Sequence, residues 1–239
     1  MRNKEDQAAS TRHQARFAGF LYLLVALIAP IGLIYVPGKL FVYGNASETA
    51  SAIRASQWLL RTGIAADLVH QTIEIFLVLA LYRLFKPIHE ARAKLMLVLG
   101  LVPIPIVFAN VLNELAALVL LSGAGFLSVF SAPQLDALAY AFLRLHGQGT
   151  ALAAIFWGLW LYPLGMLVMR ANFIPRFIGV LLLIAGSGYL VDAVAKLVLT
   201  QYAPVVSQLA LPLQACELAI VFWLLIWGAK PQACASALA

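Results

Sequence analysis

The chain has 239 residues, 63% of them hydrophobic and 11% charged, with a net charge of +6. A soluble domain carries roughly 25% charged residues, so this composition excludes an ordinary water-soluble fold and reads as a multi-pass membrane protein. The basic residues sit in short clusters between apolar segments rather than on one stripe, which excludes a nucleic-acid interface.

In chain order, residues 1–16 form a polar, basic tail. The apolar run 17–37 that follows is too long for a signal-peptide core and has no small-residue cleavage site after it. It reads as a retained spanning helix, with Pro30 inside it. Residues 38–57 hold Asn45, Ser47 and Glu48, which predict a short capped helix. The second apolar segment, 58–83, carries Asp67, His70 and Glu74 at i, i+3 and i+7, on one helical face. The third, 94–121, contains Pro103 and Pro105 and then Asn110, Asn113 and Glu114. Residues 122–147 contain Ser131-Ala132-Pro133, an N-cap with a proline in the first turn, then an amphipathic stretch through Arg144. That stretch reads either as a lid on the membrane surface or as a plain connection.

The fourth segment, 148–170, has His146 and Gln148 at its entry and Pro163 within it. The fifth, 176–199, holds Asp192 and Lys196 one turn apart. The sixth, 208–228, holds Gln214 and Glu217, and residues 229–239 form a tail. Each segment is near the ~20 residues a helix needs to cross hydrocarbon, and none alternates as a barrel strand does. The fold class expected is therefore an all-α bundle of six transmembrane helices in a single domain, 17–228. Cys216 and Cys234 form neither a CxxC nor a spaced framework, so no disulfide fold or zinc finger is expected.

Orientation follows from the bases flanking short connections. Arg2, Lys4, Arg12 and Arg16 precede the first segment, and Arg83, Lys86, Arg92 and Lys94 surround the next connection on that side. Arg170, Arg176 and Lys230 complete eleven, against Lys39, Arg54, Arg61 and Arg144 on the other side. This predicts an inner-membrane protein with both termini cytoplasmic.

Five of the ten carboxylates, Asp67, Glu74, Glu114, Asp192 and Glu217, fall inside these segments. Each such group costs ~2.5–3.5 kcal/mol on insertion scales, so they must face one another, water or a ligand. Counted from the helix ends, most of them lie in the outer half, with Glu74 deeper. Together with His70, Asn110, Asn113, His146, Lys196 and Gln214 they read as one acidic pocket open toward the periplasm. Locally, Asp192 and Lys196 suit an intrahelical ion pair, and Asn110 and Asn113 suit interhelical hydrogen bonding. Glu114 and Glu217 have no partner in their own helices.

His70, His146, Glu114 and Glu217 are the candidate metal ligands, of types suited to zinc or manganese, although no tight motif such as HExxH occurs. His146 reads as lying near the membrane surface. No GxSxG or P-loop supports hydrolysis by a nucleophile or nucleotide chemistry, and two histidines do not make a haem pattern.

Several stretches carry a resemblance. They are Ala15-Arg16-Phe17-Ala18-Gly19, Leu81-Tyr82-Arg83-Leu84, Leu145-His146-Gly147-Gln148-Gly149, Phe156-Trp157-Gly158-Leu159-Trp160 and Pro163-Leu164-Gly165. To these add Phe173-Ile174-Pro175-Arg176, Gly179-Val180-Leu181-Leu182 and Gly188-Tyr189-Leu190-Val191-Asp192. Over nearly its whole length the chain resembles a bacterial integral-membrane family catalogued as domain of unknown function 4386. The resemblance implies a six-helix prokaryotic membrane protein without an assigned activity. It places His146, Pro175, Gly179, Asp192 and Glu217 on the family's recurring pattern.

The leading functional expectation is a membrane protein that binds or transports a small solute or cation through the acidic pocket. A metal-dependent intramembrane hydrolase using His70, His146 and carboxylates is the alternative, and a structural or sensory subunit the third. No cofactor is assigned, and the expected partners are the lipid bilayer and that small solute or cation.

Overall fold

A computed structural model describes residues 2–229, with side chains from residue 11 onward. Lys230, Cys234 and the side chains of Arg2 and Lys4 lie outside the described residues. The lengths and apolar content of the segments dictate helix, because backbone polar groups in hydrocarbon must pair within their own segment. Six helices are long and apolar enough to span a membrane: α1 (Thr11–Leu40), α3 (Gln57–Phe85), α4 (Glu90–Leu120), α5 (Ala132–Arg170), α6 (Arg176–Leu197) and α7 (Ala203–Ile226). Between the first two lies the short helix α2 (Ala46–Ala55). No strand occurs among the described residues.

Consecutive spans pack side by side, and α7 closes the ring against α1. The outward faces carry large apolar side chains such as Phe20, Phe76, Leu112, Val180, Leu209 and Phe222, all exposed. A multi-pass membrane protein presents such a surface to lipid. With six spans, the start of α1 and the end of α7 meet on one face of the bundle. There the Arg16 guanidinium donates to the Ile226 carbonyl at 3.0 Å, and Gly228 approaches Arg12. We call this the terminal face and the opposite one, which carries α2, the loop face.

Proline shapes the helices as its missing N–H requires. After Pro30, α1 widens into a π turn, Ile31–Tyr35, closed by Val36 N–H donating to the Ile31 carbonyl. In α4 the ladder is interrupted at Val102, before Pro103. Pro212 precedes a 3-10 turn, Ala215–Glu217, inside α7.

Asn45 caps α2, its side chain accepting from Glu48 N–H at 3.0 Å, as its sequence predicts. The fourth span differs from expectation. It begins not at 148 but at Ala132, behind a Ser131–Gln134 capping box, and runs unbroken through Leu159. Residues 132–147 are thus neither a separate surface lid nor a loop. They extend α5 past the apolar segment, because Gly147 and Gly149 stay in the helical ladder instead of breaking it.

This extension is where α2 docks. Arg54 pairs with Asp136 at 2.5 Å, Tyr140 O–H accepts from Gly44 N–H at 2.8 Å, and Arg144 lies over the Tyr43 ring. Asp136 is 8% exposed, so Arg54→Ala leaves a buried carboxylate unpaired. The expected cost is about 1–3 kcal/mol, seen as faster amide exchange across 46–55 with the rest of the bundle unchanged.

Buried apolar residues form two clusters. The larger lies toward the terminal face and includes Leu77, Leu81, Phe85, Trp160, Leu164 and Leu182. The smaller lies toward the loop face and includes Leu60, Ile64, Val111, Leu118 and Leu143. Asp67, His70, Gln71 and Glu74 on α3 and His146 on α5 fall between them, as a polar band between two dry layers.

Candidate functional site

On α3 the 3.6-residue period stacks Asp67, His70, Gln71 and Glu74 on the buried face. Asp67 is 1% exposed and His70 3%. The π turn of α1 brings Gly32 against Asp67, so closely that a Cβ at Gly32 would overlap the carboxylate. Glycine is required there for contact rather than for backbone torsion.

Glu114 of α4 and His146 of α5 converge on Asp67. One potential ligand atom from each of the three lies within 4.8 Å of the others. His146 Nδ1 is 3.8 Å from Glu114 Oε2, and its Nε2 faces the Thr150 hydroxyl at 3.5 Å. All three residues are buried, and Asp67 Oδ1 and Glu114 Oε2 have no hydrogen-bond partner. His146 is buried within the continuous α5 rather than standing at the start of a span, where its place before the fourth apolar segment put it. The continuous α5 carries it inward against α4.

Asn110 holds this arrangement together. Its amide donates to the His146 carbonyl at 2.8 Å and to the Thr150 hydroxyl at 3.2 Å, and its carbonyl oxygen accepts from Asn113 at 3.0 Å. Gly149 makes the room, since a Cβ there would overlap the Asn110 side chain. The interhelical bonding expected for Asn110 is present, whereas Asn113 bonds within α4 and lines a shallow groove with Gln148 and Leu152. His70 approaches Asp67 with Nδ1 at 3.7 Å while Gln71 lies 2.9 Å from its Nε2. With Nε2 accepting from the Gln71 amide, the ring proton is assigned to Nδ1, which at 3.7 Å from Asp67 Oδ1 is too far to hydrogen-bond it.

The remaining residues read from the sequence lie in two other groups. Glu217, on the 3-10 turn of α7, accepts from the Tyr22 hydroxyl of α1 and lies close to Tyr189 of α6, which packs on that turn. Asp192 forms the expected ion pair with Lys196 at 2.8 Å, and it also accepts from Ser207 at 2.5 Å and Gln214 at 3.5 Å. Glu217, a metal candidate on sequence grounds, and His70 both stand outside the trio. Gln71, Thr150, Tyr22 and Tyr189 were not singled out from the sequence. A buried glutamine beside a histidine, and tyrosines at mid-span, were the signals available.

The family model described as "Domain of unknown function (DUF4386)" matches residues 17–228. The chain belongs to the DUF4386 family. The match spans all six helices and so all three polar groups. An uncharacterized protein of Archaeoglobus fulgidus is 32% identical over 79 residues, which cover 33% of this chain and 46% of that protein. The aligned part thus spans about half the length of this curated relative. No solved structure matches the chain.

Proposed function

We propose that this DUF4386 protein binds a small cation, a divalent transition metal by its ligand set, at Asp67, Glu114 and His146, and serves its transport across the membrane. The observation that carries the reading is two buried carboxylate oxygens, Asp67 Oδ1 and Glu114 Oε2, left without donors beside a histidine nitrogen. Unpaired acceptors in a low-dielectric interior are costly, and a cation supplies the missing charge. One imidazole and two carboxylates suit zinc or manganese, at ~2.0–2.2 Å for zinc. Small side-chain shifts bring the three atoms to such a centre. Three spans contribute the ligands, so movement of α3, α4 or α5 changes the site. In this reading the basic clusters hold the terminal face in the cytoplasm of a bacterial cell, and the loop face lies in the periplasm.

A hydrolytic metal centre would use the same trio, which leaves coordination positions open. The separation of Glu217 from the trio favours binding and transport, because acidic residues are then spread through the bundle rather than gathered at one reaction centre.

Protein purified without chelator should contain or take up one Zn2+ or Mn2+ per chain, measured by elemental analysis and titration calorimetry. Failure to bind either ion would remove the reading.

A further inference from the structure

On the lipid side of the bundle, α1 and α3 pack along one another and leave an open groove of about 170 Å³ near the terminal face. Gln14 and Phe17 line it from α1, and Phe76, Leu79, Ala80 and Arg83 from α3. These positions follow the helical period, i and i+3 on one helix and i, i+3, i+4 and i+7 on the other, so each set shares a face. Phe17 is 51% exposed and Phe76 57%, and no third element lines the groove among the described residues.

The lining is graded in polarity along the two helices. α1 enters the bundle from the terminal face and α3 leaves by it, so Gln14 and Arg83 sit at the outer end of the groove. Phe17, Leu79, Ala80 and Phe76 lie deeper. Gln14 precedes the apolar run of α1 and Arg83 closes that of α3, which puts both at the edge of the hydrocarbon. A guanidinium and an amide above a phenylalanine-walled trough match a molecule with a polar head and a hydrocarbon tail.

Charge decides the head. Arg83 and Gln14 have no side-chain partner among the described residues, whereas neighbouring bases are engaged. Arg16 donates to the Ile226 carbonyl, and Lys86 and Lys94 flank Glu90 at 3.9 and 3.1 Å. Glu90 is the one carboxylate on the terminal face among the described side chains, so the head end of the groove has positive surroundings. A second copy docked through this face would set those bases against their equivalents, which like-charge repulsion opposes. A free guanidinium takes a phosphate with two parallel hydrogen bonds, and basic pockets between spans at the membrane surface suit anionic lipid heads.

We propose that this groove binds one anionic phospholipid, its phosphate on Arg83 and Gln14 and an acyl chain against Phe17, Phe76 and Ala80. Ala80 lies about 20 Å along α3 from Asp67, so the lipid site is separate from the trio. The lipid lies on the seam between the same two helices that press Gly32 against Asp67 farther in.

The test is native mass spectrometry of the full chain in detergent with equal amounts of dioleoyl phosphatidylglycerol and dioleoyl phosphatidylcholine. Wild type should retain one phosphatidylglycerol per chain, favoured about fivefold or more over phosphatidylcholine. Arg83→Gln, at an exposed position, should bring that preference close to one. Ala80→Leu keeps every charge but fills the trough, and should weaken retention of both lipids. Arg176→Gln removes an exposed base of the same face outside the groove and should behave as wild type.

Equal retention of the two lipids by wild type overturns the proposal, as does a preference that survives Arg83→Gln in protein with wild-type circular dichroism. A preference lost as fully in Arg176→Gln also overturns it, in favour of diffuse surface charge. Retention unchanged in Ala80→Leu overturns the place given to the acyl chain. A lipid-free dimer that Arg83→Gln dissociates assigns the groove to a second copy instead.

Discussion

Replacing Glu114 by glutamine or Asp67 by asparagine is expected to abolish cation-dependent stabilisation of this protein without destabilising the cation-free form. Wild type should gain about 2.7 kcal/mol against unfolding when the free ion reaches one hundred times its Kd. For a chain of this size that corresponds to a rise in melting temperature of roughly 5–10 °C. In either variant the rise should vanish, because one of the two unpaired carboxylates at the trio has lost its charge. The cation-free comparison separates binding from scaffolding. If Asp67 and Glu114 were only packing elements, their amides would lower stability. If they await a cation, removing an uncompensated buried charge leaves the bundle as stable as before, or more so. Thermal unfolding in detergent, with and without Zn2+ or Mn2+, reads both effects. Asp192→Asn is the control, because it breaks an ion pair outside the trio and should leave the metal response intact.

The second large effect is expected where α5 and α6 touch through glycine. Gly158 meets Gly186, and Gly165 meets Gly179, seven residues apart on each helix. A Cβ at Gly165 would lie 2.7 Å from the Gly179 carbonyl oxygen, and one at Gly158 would lie 2.8 Å from that of Gly186. The obstacle in both cases is backbone, which cannot rotate away. Close approach at small residues is how helices gain packing energy in lipid, where no hydrophobic force joins them. Alanine at any of the four glycines should cost about 1–3 kcal/mol. Gly165→Ala combined with Gly179→Ala should cost less than the sum, since one methyl already forces the helices apart and admits the second. Unfolding free energies for the two singles and the double check this directly.

These glycines show how far the sequence could be read. Gly158, Gly165, Gly179 and Gly188 stood out within the family-like stretches of the fourth and fifth segments, but only the paired backbone contacts explain the first three. Five of the six spans were legible in outline because a bilayer demands a fixed apolar length, and hydropathy measures it. The start of α5 was not. Gln134, Asp136 and Arg144 end the apolar run there, while the hydrogen-bond ladder continues to Ala132. The local bond between Asp192 and Lys196 was legible, being one turn long.

The partners of Glu114 and Glu217 were not legible, because His146 and Tyr22 reach them from other helices. Depth along a helix can be counted from sequence. The angle at which each helix faces its neighbours is set by packing, and it divides residues of similar depth into separate groups. Gln71 was passed over for the same reason, since its burial depends on which way α3 turns.

The unequal dry layers on either side of the polar band have an electrical consequence. Along α3, Asp67 lies about 15 Å from the Gln57 end but about 27 Å from the Phe85 end, at 1.5 Å per residue. A membrane voltage falls mainly across low-dielectric material, so most of it drops between Asp67 and the terminal face. The cation proposed for the trio would cross about a third of the field on arriving from the loop face. One leaving toward the terminal face crosses most of it, a step biased by up to about 2.3 kcal/mol per charge for each 100 mV. Occupancy of the trio should thus depend less on voltage than passage beyond it.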